Sequence, residues 1–275
     1  MSRIGIMQGR LSPPIGQKIQ AFPQQHWEEE FSTATAMDLS SIEWILESPL
    51  ETNPLWSTDG LAQIHERTQE TGLRIDFVCA DYFMESPFVR MSADDLKRNR
   101  LVLNKAIDQC AALSGKGIEI PCVDASEIRS QEEEDELASA IEPCLEHAAK
   151  RNIQVGLETA LAPDRFRKLL DRIGHPFLKA NYDSGNSASL GYDPVEEISA
   201  YGQWINNVHI KDRVQGGGTV PLGTGDADIC KVLRLLKSVS YGGEFILQGA
   251  RGSDDIATAR CYKEQLESWL SEAGF

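Results

Sequence analysis

The 275-residue sequence predicts a closed (β/α)8 barrel. Short apolar segments of strand length alternate eight times with segments of helical periodicity. Such alternation calls for a parallel sheet covered by helices, because each strand must be reached by a crossover. The chain has the length of one such barrel. No glycine-rich dinucleotide fingerprint follows the first strand, since Gly5-x-x-x-Gly9 has the wrong spacing, and this argues against a doubly wound open sheet. With no linker or compositional break, residues 1–275 read as one domain.

The first strand is expected over Arg3 to Met7, followed by a Pro/Gly-rich loop from Ser12 to Gly16. Trp27, Phe31 and Ala34 recur at three- and four-residue steps and predict a helix from His26 to Met37. A second strand, Ser41 to Ile45, leads through a Pro/Ser/Thr-rich loop to a helix from Thr58 to Thr71, stopped by Gly72. Arg74 to Ala80 is the third strand. Ser92, with Asp95 three residues on, caps the next helix, which runs to about Leu113. Gly117 to Pro121 is the fourth strand. The acidic run Glu132 to Glu136 opens the following helix, where negative charge suits the N-terminal dipole.

The fifth strand is Asn152 to Leu157, with a helix near Arg165 to Ile173, and the sixth is Phe177 to Tyr182. Asp193-Pro194 marks a helix start over 194–203. Ile205 to Ile210 is the seventh strand and Asp226 to Val239 its helix. Gly242-Gly243 turns the chain into the eighth strand, Glu244 to Leu247, and a last helix runs from near Ser253 to Ser271.

Hydrophobic content of 41% and charged content of 25% are those of a soluble globular chain. A net charge of −15 opposes nonspecific binding to nucleic acid or anionic membranes. Cys79, Cys110, Cys122, Cys144, Cys230 and Cys261 form no C-x-x-C pair and read as free thiols in a reducing compartment. Met1 leads almost directly into a strand without a signal-peptide pattern, and no apolar run reaches a membrane span, so the expected location is cytoplasmic.

In a barrel, groups at the C-terminal ends of strands meet at one rim. Glu158, Asp183, His209 and Gln248 end strands five to eight. Adjacent strands lie about 4.8 Å apart, so four such side chains can converge on one point. Two carboxylates, an imidazole and an amide oxygen form an N/O donor set suited to Mn, Co, Zn or Mg as a divalent ion. Lys211 and Arg213 lie beside His209, and Arg10 follows the first strand. Gly216 to Gly218 and Gly223-Thr224-Gly225 can present backbone N–H groups to an anion, so a sugar phosphate or sugar acid fits as well as plain loop ion pairs do.

The segments Gly156-Leu157-Glu158, Asp183-Ser184-Gly185-Asn186, Val208-His209-Ile210-Lys211-Asp212 and Leu222-Gly223-Thr224-Gly225-Asp226 resemble the sugar-phosphate isomerase/epimerase branch of the xylose-isomerase-like barrels. The opening Ile4 to Leu11 and Glu43 of the second strand resemble it too. The resemblance implies a metal held by Glu158, Asp183 and His209, with Glu158 also the base that moves a proton next to a carbonyl through an enediolate. Glu43, Asn186, Arg10, Arg213, Gly223 and Gly225 are expected at the substrate, a small sugar or sugar phosphate, with Lys211 or Glu43 as the candidate partner acid. Barrels of this kind often pair as homodimers.

Two positions depart from the family pattern. Its fourth ligand is usually a glutamate and here is Gln248; a frequent histidine after the strand-six aspartate is Asn186. An amide can coordinate through oxygen but cannot carry a proton. Single-base isomerisation, a dehydratase or lyase step on a keto-acid or sugar, and a non-catalytic sugar-binding barrel therefore stand beside two-base epimerisation. A DNA-cleaving barrel with several metals is disfavoured by only five histidines and by the negative charge.

Overall fold

The computed structural model describes residues 3–16 and 18–275. Met1 and Ser2, read from the sequence as the lead-in to the first strand, lie outside the described residues. Eight parallel strands close a barrel in chain order: β1 Ile4–Met7, β2 Ile42–Ile45, β3 Phe77–Cys79, β4 Gly117–Cys122, β5 Gln154–Thr159, β6 Leu178–Asp183, β7 Ile205–Ile210 and β8 Phe245–Leu247, which pairs back onto β1. The helices are α1 Trp27–Ala36, α2 Thr58–Thr71, α3 Tyr82–Glu85, α4 Ala93–Ala112, α5 Gln131–Arg151, α6 Pro163–Ile173, α7 Ser184–Leu190, α8 Pro194–Tyr201, α9 Ile229–Ser238 and α10 Asp255–Ala273. No helix among the described residues is long and apolar enough to cross a membrane.

Local chemistry explains the helix limits. Ser57, Ser92, Ser130 and Asp193 each accept an N–H of the first turn through the side chain. Gly72 ends α2 at φ 73°, a left-handed conformation that costs glycine nothing. The helix α9 begins at Ile229 rather than Asp226 because Asp228 is the residue that caps it, accepting from Lys231 N. The sequence reading missed α7, whose Ser-Gly-Asn start is a poor helix former. That turn is held by Asp183, whose Oδ1 accepts the amides of Gly185 and Asn186 at 2.8 Å each.

The strands alternate in chemistry. Glu43 lies between Ile42 and Trp44, Glu119 between Ile118 and Ile120, and Asn207 and His209 flank Val208. Successive side chains of a strand point to opposite faces. The apolar set packs under the helices: Trp44 meets Trp27 of α1 edge to face, ring centres 5.5 Å apart, and lies tilted 5.3 Å from Phe22. Each such side chain, fully buried, contributes roughly 1.5–3 kcal/mol. The other set fills the barrel interior with polar groups, where most such barrels carry branched apolar residues. Glu43, Glu119, Asn181, Asn207 and His209 are all at least nine-tenths buried there.

Candidate functional site

A register shift in the β6–β7 pairing sets the site. Ala180 pairs with Ile205, but Asn181 pairs with Asn207 and Asp183 with His209. The extra residue on β7 brings an Asn–Asn layer beneath an Asp–His layer, a common use of an irregular strand beside an active site. Glu158 arrives from β5 next to Asn181, whose Nδ2 donates to Glu158 Oε2 at 3.0 Å. One candidate ligand atom from each of Glu158, Asp183 and His209 lies within 4.8 Å of the others, and all three residues are buried. A cavity of about 620 Å³ opens above, lined by Glu158, Asp183, Gln248, Lys211, Asn186, Arg10 and Arg213, and His209 lies wholly buried beneath it.

These lining groups are already oriented. Lys211 Nζ lies 3.3 Å from Asp183 Oδ2. A Cβ at Gly185 would sit 2.7 Å from Lys211 Cγ and 3.0 Å from its carbonyl carbon, so glycine permits α7 to press against Lys211. Arg213 donates to Asn186 Oδ1 at 2.8 Å, and Asn186 Nδ2 donates in turn to Glu158 Oε1. Gln248 donates through Nε2 to Gln20 at 2.8 Å, while its buried Oε1 has no hydrogen-bond partner. Arg10 donates to Ile19 O and Gln20 Oε1.

Four buried carboxyl groups, Glu43, Glu119, Glu158 and Asp183, crowd one imidazole and one ammonium. Burial works against a charged His209, but Glu43, Glu119 and Glu158 around it win and raise it to about 10. Burial and the Asp183 carboxylate push the Glu158 carboxyl up, against the pull of His209 and Lys211. Burial likewise holds Glu119 well above the usual carboxylate range. The surplus of acidic groups and the orphaned Gln248 oxygen fit a divalent cation. Glu158, Asp183, His209 and Gln248 would hold it, an N/O set for Mn, Co, Zn or Mg.

Three expected substrate contacts fall elsewhere. Glu43 is 1% exposed and does not line the cavity; it lies beneath it, with His209 Nε2 3.1 Å from Oε2 and Asn207 Nδ2 donating to both its oxygens. It comes from the strand interior rather than its open end, and that sets its depth. Gly223 and Gly225 spend their amides on the chain itself: Asp212 Oδ2 accepts both, at 2.9 and 2.8 Å, and Oδ1 accepts Ala227 N at 3.1 Å. Asp212 is wholly buried and ties the loop after β7. Asp212→Ala would leave three amides without acceptors, each worth about 1–3 kcal/mol. We expect a melting temperature lower by roughly 6 °C or more; an unchanged thermal melt would count against this knot.

Strand-end reasoning also missed Glu119, which lines the cavity, and Asn181 and Asn207, which lie one layer deeper. The signal was in the sequence as period-two alternation of polar and apolar residues inside β4, β6 and β7. His26, His65, His147 and His175 stand outside the site, bonded to Glu29, Gln69, Asp108 and Phe177 N respectively.

The sequence pattern of the xylose isomerase-like TIM barrel family matches residues 31–272. The chain belongs to that family. Within it, a Haemophilus influenzae protein with the provisional name L-ribulose-5-phosphate 3-epimerase is 23% identical over 237 residues, spanning 81% of this chain and 83% of the relative. Among solved structures, a xylose isomerase domain protein from Planctomyces limnophilus superposes with a TM-score of 0.79 at 17% identity, covering 99% and 98% of the two chains. D-allulose 3-epimerase from a Methylomonas species gives 0.77 at 17% identity, with 98% of each chain covered. For the xylose isomerase-like fold, the rim where Glu158, Asp183 and His209 meet is the C-terminal end of the strands, where barrel enzymes do their chemistry.

Proposed function

We propose that this protein is a divalent-metal-dependent isomerase or epimerase of a small sugar or sugar phosphate. It would move a proton on the carbon next to a carbonyl. The observation that carries the reading is the gathering of Glu158, Asp183 and His209 ligand atoms within 4.8 Å, with Glu158 and Asp183 lining an open cavity and His209 buried beneath them. The epimerase names of the relatives support it.

When bound, the divalent ion supplies a Lewis acid for the charge that develops on the substrate oxygens. The chain's own groups do the rest. Glu158 removes the proton, and Asn181 and Asn186, each donating to one of its oxygens, aim the carboxylate. Lys211, beside Asp183, is the partner acid that protonates the neighbouring oxygen. Arg213, Arg10 and the Gly218 stretch line the outer cavity and would receive an anionic end of the substrate. Gln248 contributes oxygen but no proton, which favours transfer by one base over transfer by two.

The test joins metal analysis of the purified protein with proton exchange of ketoses and ketose phosphates in D2O. One equivalent of bound divalent metal and metal-dependent exchange are expected. Exchange without epimer formation would favour aldose–ketose isomerisation or the lyase reading, to which Gln248 also lends itself. Neither metal nor exchange would leave only the sugar-binding reading.

A further inference from the structure

We infer that Glu43 is a positioning residue that fixes the orientation of His209, so that one ring nitrogen, Nδ1, is turned to the Glu158–Asp183 side. This rests on the metal-dependent reading above and deepens it. Each ring nitrogen has an asparagine Nδ2 at 3.2 Å, Asn181 beside Nδ1 and Asn207 beside Nε2, and the two sides differ in how near a carboxylate comes. His209 Nδ1 lies 3.7 Å from Glu158 Oε2, on the side of the cavity. Nε2 lies 3.1 Å from Glu43 Oε2, in hydrogen-bond range, and 3.9 Å from Glu119 Oε2, outside it. With a cation in place of the Nδ1 proton, an imidazole that donates from Nε2 to a carboxylate presents Nδ1 in a set direction.

Glu43 is itself held rigidly. Asn207 Nδ2 donates to Oε1 at 3.1 Å and to Oε2 at 2.9 Å, which pins the carboxylate plane. Glu43 and Asn207 come from β2 and β7, separated around the barrel by β1 and β8 and 164 residues apart in sequence, so they lock the ring across the interior. The alternative occupant of this layer is a second cation between Glu43, Glu119 and His209, whose ligand atoms also lie within 4.8 Å of one another. The short Nε2–Glu43 contact favours a proton there instead, with one ion per chain.

Co²⁺ titration of the whole protein tests this. Glu43→Ala should weaken Co²⁺ binding by about 10–100-fold, and Glu43→Gln, which keeps a neutral acceptor for the Nε2–H, should recover part of the loss. The wild type should bind one equivalent. Wild-type affinity in a folded Glu43→Ala, or a second equivalent that this variant abolishes, overturns the inference. A wild type that binds no divalent ion defeats both this inference and the proposed function, whereas unchanged affinity in the variant defeats this inference alone. Where Glu43→Ala does not fold, nitrogen-15 spectra of histidine-labelled wild type loaded with Zn²⁺ decide the matter. A protected proton on His209 Nε2 with metal on Nδ1 supports the inference, and metal on Nε2 overturns it.

Discussion

Glu158→Gln is expected to lower substrate proton exchange by roughly 10²–10⁴-fold at saturating metal, the range a positioned general base supplies. The substitution keeps the size of the side chain and removes its ability to take a proton. It also exchanges one accepting oxygen for an amide nitrogen, which would oppose the N–H of either Asn181 or Asn186. Against that loss, it relieves the repulsion with Asp183 that, together with burial, pushes the Glu158 carboxyl upward. The two terms have opposite signs, so the metal-free barrel should stay folded. Exchange must be read at saturating metal because removing a ligand charge also weakens cation binding. Undiminished exchange under those conditions would move the base elsewhere, with Lys211 the first group to examine.

Gln248→Glu should tighten divalent-metal binding by about tenfold to a hundredfold and destabilise the metal-free protein. Near the protein surface a charge pair at about 4 Å is worth roughly 4 kcal/mol before desolvation, enough for a gain of that size after burial costs are met. Gln248 Oε1 has no donor to lose, but Nε2 has an acceptor: the change removes its bond to Gln20 Oε1 and sets another carboxylate in a cavity already lined by Glu158, Asp183, Glu119 and Asp81. Without the cation the added charge is repelled, and with it the charge is satisfied. Melting with and without metal, beside a metal titration, separates the two effects. Unchanged affinity would mean that Gln248 does not coordinate. Epimer formation appearing only in this variant would assign the missing second proton carrier to this position.

Much of the barrel was legible residue by residue. Helix α2 runs from Thr58 to Thr71 and stops at Gly72 as read, and β7 runs over the six residues read for it. Glu158, Asp183 and His209 could be picked out because each closes an apolar strand with a charge or a ring. Glu43 was picked out as well but given the wrong surroundings, and Glu119, Asn181 and Asn207 were passed over as strand interior. Gly223 and Gly225 carried a correct turn signal with the wrong partner, since the anion they embrace is Asp212 of the same loop.

The linear sequence by itself determined the eight strand–helix units and the residue types carried at each strand end, because caps, periodicity and turn residues act within a few positions. Only the folded barrel decided depth and neighbour. The shift between Ala180 and Asn181 sets Asp183 beside His209, and closure of β8 on β1 encloses the interior in which Glu43 reaches Asn207 from across the lumen. Those contacts depend on strand register and curvature, which are set by packing among segments far apart in the chain, and no local pattern encodes them.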